Sequence, residues 1–180
     1  SVIILSTIVS PVNLGLYYGS NRIYRAFNTI LTPISFSFYP IISSIGKEEI
    51  RLKKLLIKKY LILIFLIGIL ISTISFFFSE KIILVLLGKD FLGASELLKI
   101  FCIVLPLTAI SNALGRQWLM SLNKDRTYAI TQIISSVVAF ICFLLLFEDI
   151  GIFAFPISLV FYEIITISII LIYLNLNASN

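Results

Sequence analysis

Residues 60–78 read YLILIFLIGILISTISFFF, without a charge. A run of this kind has few folded solutions. A helix needs about 20 apolar residues to cross the hydrocarbon core of a bilayer. Within lipid the backbone must satisfy its own hydrogen bonds, which a helix does. Comparable runs recur along the chain, separated by short polar connections. Five complete spans are expected, at about 20–45, 60–78, 94–121, 127–147 and 151–174, after a partial one at about 1–9. Of the 180 residues, 59% are hydrophobic and 13% charged, where a soluble domain carries roughly 25% charged residues. Too little polar surface remains to coat a water-soluble globule. The fold class that follows is an all-α membrane protein, a polytopic helical bundle. The chain opens on Ser1, and Val2–Val9 is already apolar with no basic stretch before it, so a signal peptide is not expected. The opening reads as the tail of a truncated membrane helix, and the chain as a fragment of a longer protein.

The connections carry the charge. Lys47, Glu48, Glu49, Arg51, Lys53, Lys54, Lys58 and Lys59 cluster after the 20–45 span, and Lys124, Asp125 and Arg126 precede the 127–147 span. With spans alternating in direction, nine of the fourteen Lys and Arg residues, Arg116 included, fall towards one side. The positive-inside rule makes that side cytoplasmic and the start of the 20–45 span external. Residues 51–59 (RLKKLLIKK) read as a helix extension whose lysines snorkel to lipid headgroups. The net charge of +5 therefore reports basic loops; without a soluble basic patch interleaved with exposed aromatics, nucleic-acid binding is not expected. Pro33, Pro40, Pro106 and Pro156 fall in or near spans, where each can bend a helix.

Histidine is absent, which removes the usual general base and the commonest metal ligand. Cys102 and Cys142 lie in separate apolar runs and form no metal spacing. No nucleophile–base pair and no glycine-rich phosphate loop is present. The expectation is a non-enzyme that needs no cofactor and no metal.

Polar residues within the spans are the candidates for function, because such groups are costly in lipid unless they face protein or a wet cavity. Asn21, Arg25, Asn28, Thr32 and Ser35 recur at gaps of 4, 3, 4 and 3, which keeps them on one face of a helix. Arg22 and Arg25 fall in the first two turns if the helix starts near residue 20. Cations there oppose the macrodipole, and a phosphate or pyrophosphate would compensate them. The competing reading is that both snorkel to the outer interface or pair with carboxylates elsewhere in the protein. Glu163 sits mid-span and must face the bundle interior. It is either an ion-coupling carboxylate or a side chain hydrogen-bonded to a neighbouring helix. Asn112 and Arg116 lie one turn apart on one face, with snorkelling as the alternative for Arg116. Gln132 and Ser135 read as helix–helix contacts.

Several segments, in order, resemble bacterial polysaccharide flippases of the O-antigen type, within the multidrug/oligosaccharidyl-lipid/polysaccharide exporter superfamily. Leu14-Gly15-Leu16-Tyr17-Tyr18 and Asn21-Arg22-Ile23-Tyr24-Arg25-Ala26 are similar to that family's G-x-Y-Y and E-R-I-x-R-A segments, with Asn21 where the family often has an acid. Thr32-Pro33-Ile34-Ser35 followed by Phe38-Tyr39-Pro40, Leu87-Gly88-Lys89-Asp90-Phe91, and Leu114-Gly115-Arg116-Gln117-Trp118-Leu119 resemble its P-I-S…Y-P, G-x-x-F and G-x-Q-x-L runs. Glu163 falls where its final span often carries a Glu. The resemblance implies the second bundle of a twelve-helix MATE-like exporter fold. It implies a flippase that moves an undecaprenyl-pyrophosphate-linked oligosaccharide across the bacterial inner membrane by alternating access, for polysaccharide or O-antigen synthesis. Arg22, Arg25, Asn28, Thr32, Ser35, Asn112 and Arg116 would line the cavity. Glu163 is the ion-coupling candidate on physical grounds alone. The implied partners are the lipid-linked oligosaccharide, membrane lipids, an N-terminal bundle of the same protein, and a polysaccharide polymerase and glycosyltransferases. The other readings are a peptidoglycan-precursor or multidrug exporter of the same superfamily, and a non-transporting membrane scaffold.

Overall fold

The computed structural model describes residues 10–46 and 49–178. The expected partial span at 1–9 and the loop residue Lys47 lie outside the described residues. Among those described, the secondary structure is helical throughout, with no strand. The chain is an all-α membrane protein.

Helix α1 spans Pro11–Ser44. Ser10 caps it, its hydroxyl accepting from the Asn13 N–H at 3.4 Å, and Pro11 occupies the first helical position, where its missing N–H costs nothing. The start is thus nine residues earlier than expected. This corrects the placing of the arginines. Arg22 lies eleven residues beyond Pro11, roughly 16 Å along the axis. Macrodipole effects fade within the first turn, so the helix end gives Arg22 and Arg25 no reason to seek an anion.

Helix α2 spans Ile50–Phe77 and includes the basic stretch 51–59; α3 (Ser79–Leu86) follows at once. Helix α4 spans Ala94–Asn112 and runs on through a wide π-turn segment, Ala113–Leu119, into a short 3-10 turn, Met120–Leu122. Asn123 then adopts a left-handed conformation (φ 58°) that ends the helix, a role Asn fills well. Lys53 does not snorkel. It is buried, and its Nζ donates to the Ser121 carbonyl at 2.9 Å, satisfying one of the free carbonyls at that helix end. The bond also fixes the start of α2 and the end of α4 at one end of the bundle.

Helices α5 (Asp125–Ile150) and α6 (Ala154–Ala178) form a hairpin. Gly151 makes the reversal possible with φ 55° and ψ −127°, a conformation closed to residues with a Cβ. The buried positions of α5 are Thr131, Ser135, Ala139 and Phe143, four residues apart. Three are small, which lets helix backbones approach closely where no hydrophobic effect drives association. The half of the bundle away from the Lys53–Ser121 contact is filled by rings: Phe143 and Phe155 lie 4.2 Å apart, and Tyr17 of α1 lies 5.1 Å from Phe155.

Helix α4 is the core. In its most apolar window 61% of the residues are buried, against 22% for α2 and 17% for the α5–α6 stretch. It packs on α1, α2 and α6. Pro106 removes the N–H that would bond the Cys102 carbonyl. Ser72 of α2 replaces it, donating to that carbonyl at 2.5 Å. The carbonyl that Pro106 leaves free is thus satisfied across a helix–helix contact, as membrane helices require.

Among the described residues, three stretches are long and apolar enough to cross a membrane: Arg51–Phe77, Ala94–Leu122 and Asp125–Leu176, the last divided at Gly151. Helix α1 is long enough but does not join them. Its interior is diluted by Asn28, Thr32, Ser35 and Ser37, so it is the helix with most need of shelter from lipid.

Candidate functional site

A cavity of about 280 Å³ opens between α1 and α4, with Ile64 of α2 at its base. Helix α1 supplies Asn28, Thr32, Ser35, Phe36 and Tyr39; α4 and its π segment supply Asn112, Arg116, Gln117 and Met120. It occupies the half of the bundle nearer the Lys53–Ser121 contact. Five of the residues singled out from sequence come together here: Asn28, Thr32, Ser35, Asn112 and Arg116. The lining holds amides, hydroxyls, one guanidinium and two exposed rings, and no carboxylate. Such a surface can hydrogen-bond a polar or anionic ligand and stack against its apolar faces.

Arg22 and Arg25 are not part of it. Both are exposed, on the other side of the α1 midpoint. The polar stripe therefore divides: its lower three members line the cavity, and Arg25 does not.

Two hydroxyls set the α1 wall. Ser35 Oγ donates to the Leu31 carbonyl at 3.2 Å and lies 2.7 Å from the Tyr60 hydroxyl of α2. Gln117 of the π segment donates from Nε2 to the Ser35 carbonyl at 2.8 Å. Gln117, Phe36, Tyr39 and Met120 are lining residues that sequence reasoning did not select. A π turn bonds residues five apart, which brings Gln117 beneath Asn112 where an α-helix would place Arg116 alone. Nothing in the local sequence announces that turn.

Glu163 lies elsewhere. It is 6% exposed on α6. Oε1 accepts from the Thr108 hydroxyl at 2.8 Å, and Oε2 accepts from the Ser111 hydroxyl. Thr108 Oγ1 is also 3.0 Å from the Tyr24 hydroxyl of α1. One carboxyl thereby ties α6 to α4 and, through Thr108, to α1. Thr108 and Ser111 turn towards Glu163, whereas Ala109 and Asn112, one residue on, line the cavity. The two sites occupy adjacent faces of α4. No group of three or more His, Cys, Asp or Glu side chains gathers among the described residues to hold a metal.

The fold and the cavity define a class, a helical membrane protein with an open cavity of mixed apolar and polar lining on an apolar bundle. Over 128 residues the chain is 30% identical to an Escherichia coli (strain K12) protein that bears the name "Putative O-antigen transporter". The match covers 71% of this chain and 31% of that protein, so the aligned part spans about a third of the relative's length. No family model matches the chain, and no solved structure matches it.

Proposed function

We propose that the chain is part of a transporter that exports a lipid-linked oligosaccharide for polysaccharide or O-antigen synthesis. The observation that carries this is the convergence of Asn28, Thr32, Ser35, Asn112 and Arg116 on one cavity. Polar groups are costly at membrane depth, and here they are gathered where a hydrophilic head group could pass. The name of the Escherichia coli relative points the same way. A lining without carboxylates does not suit cationic drugs. Under this reading the lipid tail stays in the bilayer, a second bundle supplies the opposite wall, and the two rock in alternating access across the inner membrane. The Lys53–Ser121 end is cytoplasmic.

Arg116 is the cation of the cavity. Surface glycan, measured by immunoblot at matched protein levels, should fall about tenfold or more in Arg116→Ala, the loss expected for one charge-assisted contact. The double variant Arg22→Ala, Arg25→Ala should stay near wild type. The reverse ranking would move the site to the external half of α1 and sink the cavity reading.

Glu163 is the coupling residue on this proposal, because it joins α6 to the cavity-bearing helices. Transport into inverted vesicles should depend on pH or on a cation gradient in wild type and lose that dependence in Glu163→Gln. A Gln variant with an unchanged profile removes Glu163 from coupling.

A further inference from the structure

A chain of side chains joins Glu163 to the cavity. Glu163 Oε1 accepts from the Thr108 hydroxyl, and Thr108 Oγ1 lies 3.0 Å from the Tyr24 hydroxyl. The Tyr24 hydroxyl is hydrogen-bonded in turn to the side chain of Asn28. Asn28 follows Tyr24 by one turn of α1 and lines the cavity. Glu163, Thr108 and Tyr24 are all buried. The chain thus runs from a buried carboxyl on α6, across α4, to the cavity wall on α1.

Counting hydrogens sets its direction. A carboxylate only accepts, and each hydroxyl has a single hydrogen to give. With Glu163 ionised, Thr108 gives its hydrogen to Oε1 and can only accept from Tyr24. Tyr24 then gives its hydrogen to Thr108 and can only accept from Asn28. The NH2 end of Asn28 is therefore held at Tyr24, and its carbonyl end is left to the cavity. Neutral Glu163 removes that compulsion, because the carboxyl has a hydrogen of its own to donate. Thr108 can then turn its hydrogen to Tyr24 or to the Val104 carbonyl at 3.1 Å, and the Asn28 amide can take either orientation. Ser111, the second donor to Glu163, has its own outlet at the Thr108 carbonyl, 3.2 Å away, and does not extend the chain to α1.

We propose that Tyr24 is a positioning residue that transmits the charge state of Glu163 to Asn28, so that neutral Glu163 favours an anion in the cavity; the assignment rests on the coupling reading above. Ionised Glu163 keeps a carbonyl oxygen towards the ligand space, which suits a hydroxyl donor and opposes an anion. Neutral Glu163 lets Asn28 turn its NH2 into a cavity that Arg116 also lines. The titratable groups around Glu163 are Tyr24 of α1 and Tyr162 beside it on α6; Arg25 acts on the first, and Tyr128 and Arg116 act on the second. From α4 it meets the hydroxyls of Thr108 and Ser111. The buried positions of α5, Thr131, Ser135, Ala139 and Phe143, hold no titratable side chain.

Two readouts on the intact protein in lipid nanodiscs test this. The first is binding of undecaprenyl pyrophosphate, as the anionic probe, along a pH titration. Wild type should bind it about fivefold or more tightly once Glu163 is protonated, the lower end of ordinary coupling between two sites. Glu163→Gln should lose that dependence. Tyr24→Phe, which keeps the ring and the carboxyl, should lose it as well, and Thr108→Ser, which keeps the hydroxyl, should retain it. The second is infrared difference spectroscopy over the same titration without ligand. The protonated-carboxyl band, identified by its loss in Glu163→Gln, should appear together with a shift in an asparagine side-chain carbonyl band that Asn28→Leu removes and Tyr24→Phe abolishes. A dependence and a band shift that survive Tyr24→Phe would mean that Glu163 acts through space, which overturns the relay and leaves Glu163 as the coupling residue. Loss in Thr108→Ser as well as in Tyr24→Phe would assign the effect to packing and overturn it too. Dependence absent from wild type, or unchanged in Glu163→Gln, sinks the coupling reading itself, and the relay with it.

Discussion

Replacing Thr108 with valine should loosen three helices at once. The change conserves shape and removes a single hydroxyl. That hydroxyl donates to Glu163 on α6 and meets the Tyr24 hydroxyl of α1, and both partners are buried. A hydrogen bond between membrane helices contributes about 0.6 kcal/mol on average and roughly 1.7 at most, because the unfolded chain in lipid also finds partners. Two lost bonds therefore predict a loss of about 1–3 kcal/mol, read as a lower midpoint in detergent or steric-trap unfolding. The cause can be separated from simple loss of packing. A buried polar group left alone costs more than a pair removed together. Adding Tyr24→Phe and Glu163→Leu to Thr108→Val should recover much of the stability, although it deletes more hydrogen-bonding groups. If the triple variant were instead the least stable, the network would be an ordinary sum of contacts and Glu163 would not be its hub.

The apolar runs made the spanning helices legible, and their physical cause is plain: a single apolar segment satisfies its own backbone in lipid only as a helix. The ends were less so. With the first full span expected from about residue 20, Pro11 falls in the connection before it, yet at the first helical position it starts a helix. That single reversal moved the beginning of α1 by nine residues and removed the dipole argument for Arg22 and Arg25. Lys53 reads as one of several snorkelling lysines. Its burial depends on the end of α4 reaching it from 68 residues away, which no local pattern encodes.

The site divides in the same way. Asn112 and Arg116, one turn apart, could be paired from spacing alone, as could Asn28, Thr32 and Ser35. That the two sets face one another is tertiary. Glu163 was conspicuous as a carboxyl in an apolar span, but Thr108 and Ser111 were not, since hydroxyls are common in membrane helices and bond their own backbone cheaply. Only the packing of α4 on α6 turns them towards it. Gln117 was hidden by a change of period, because an α-helical count places it off the Asn112–Arg116 face.

The segment responsible for that change of period is held open by Gly115, and adding one methyl group there should be among the most damaging small changes in the chain. A Cβ at residue 115 would lie 2.2, 2.8 and 2.9 Å from three carbons of the Tyr128 ring. Three ring atoms within 3.0 Å leave no small tilt that relieves the contact. Either Tyr128 leaves its place between α4 and α5, or the wide turn at Ala113–Leu119 moves. Overpacking of this kind typically costs about 1–3 kcal/mol and occasionally more, and Gly115→Ala belongs at the upper end because a rigid ring is the obstacle. The expected result is a lower folded yield in membranes and a lowered unfolding midpoint. Tyr128→Ala in the same chain should restore both, since it removes the atoms that clash. Transport separates the two ways of yielding. If the ring moves and the turn stays, Arg116 and Gln117 keep their positions and transport per folded molecule is retained. If the turn moves, they leave the cavity together and transport fails in whatever protein remains folded. Failure that Tyr128→Ala reverses would tie the cavity to the π turn; a Gly115→Ala protein as stable and active as wild type would show that the turn has no such constraint.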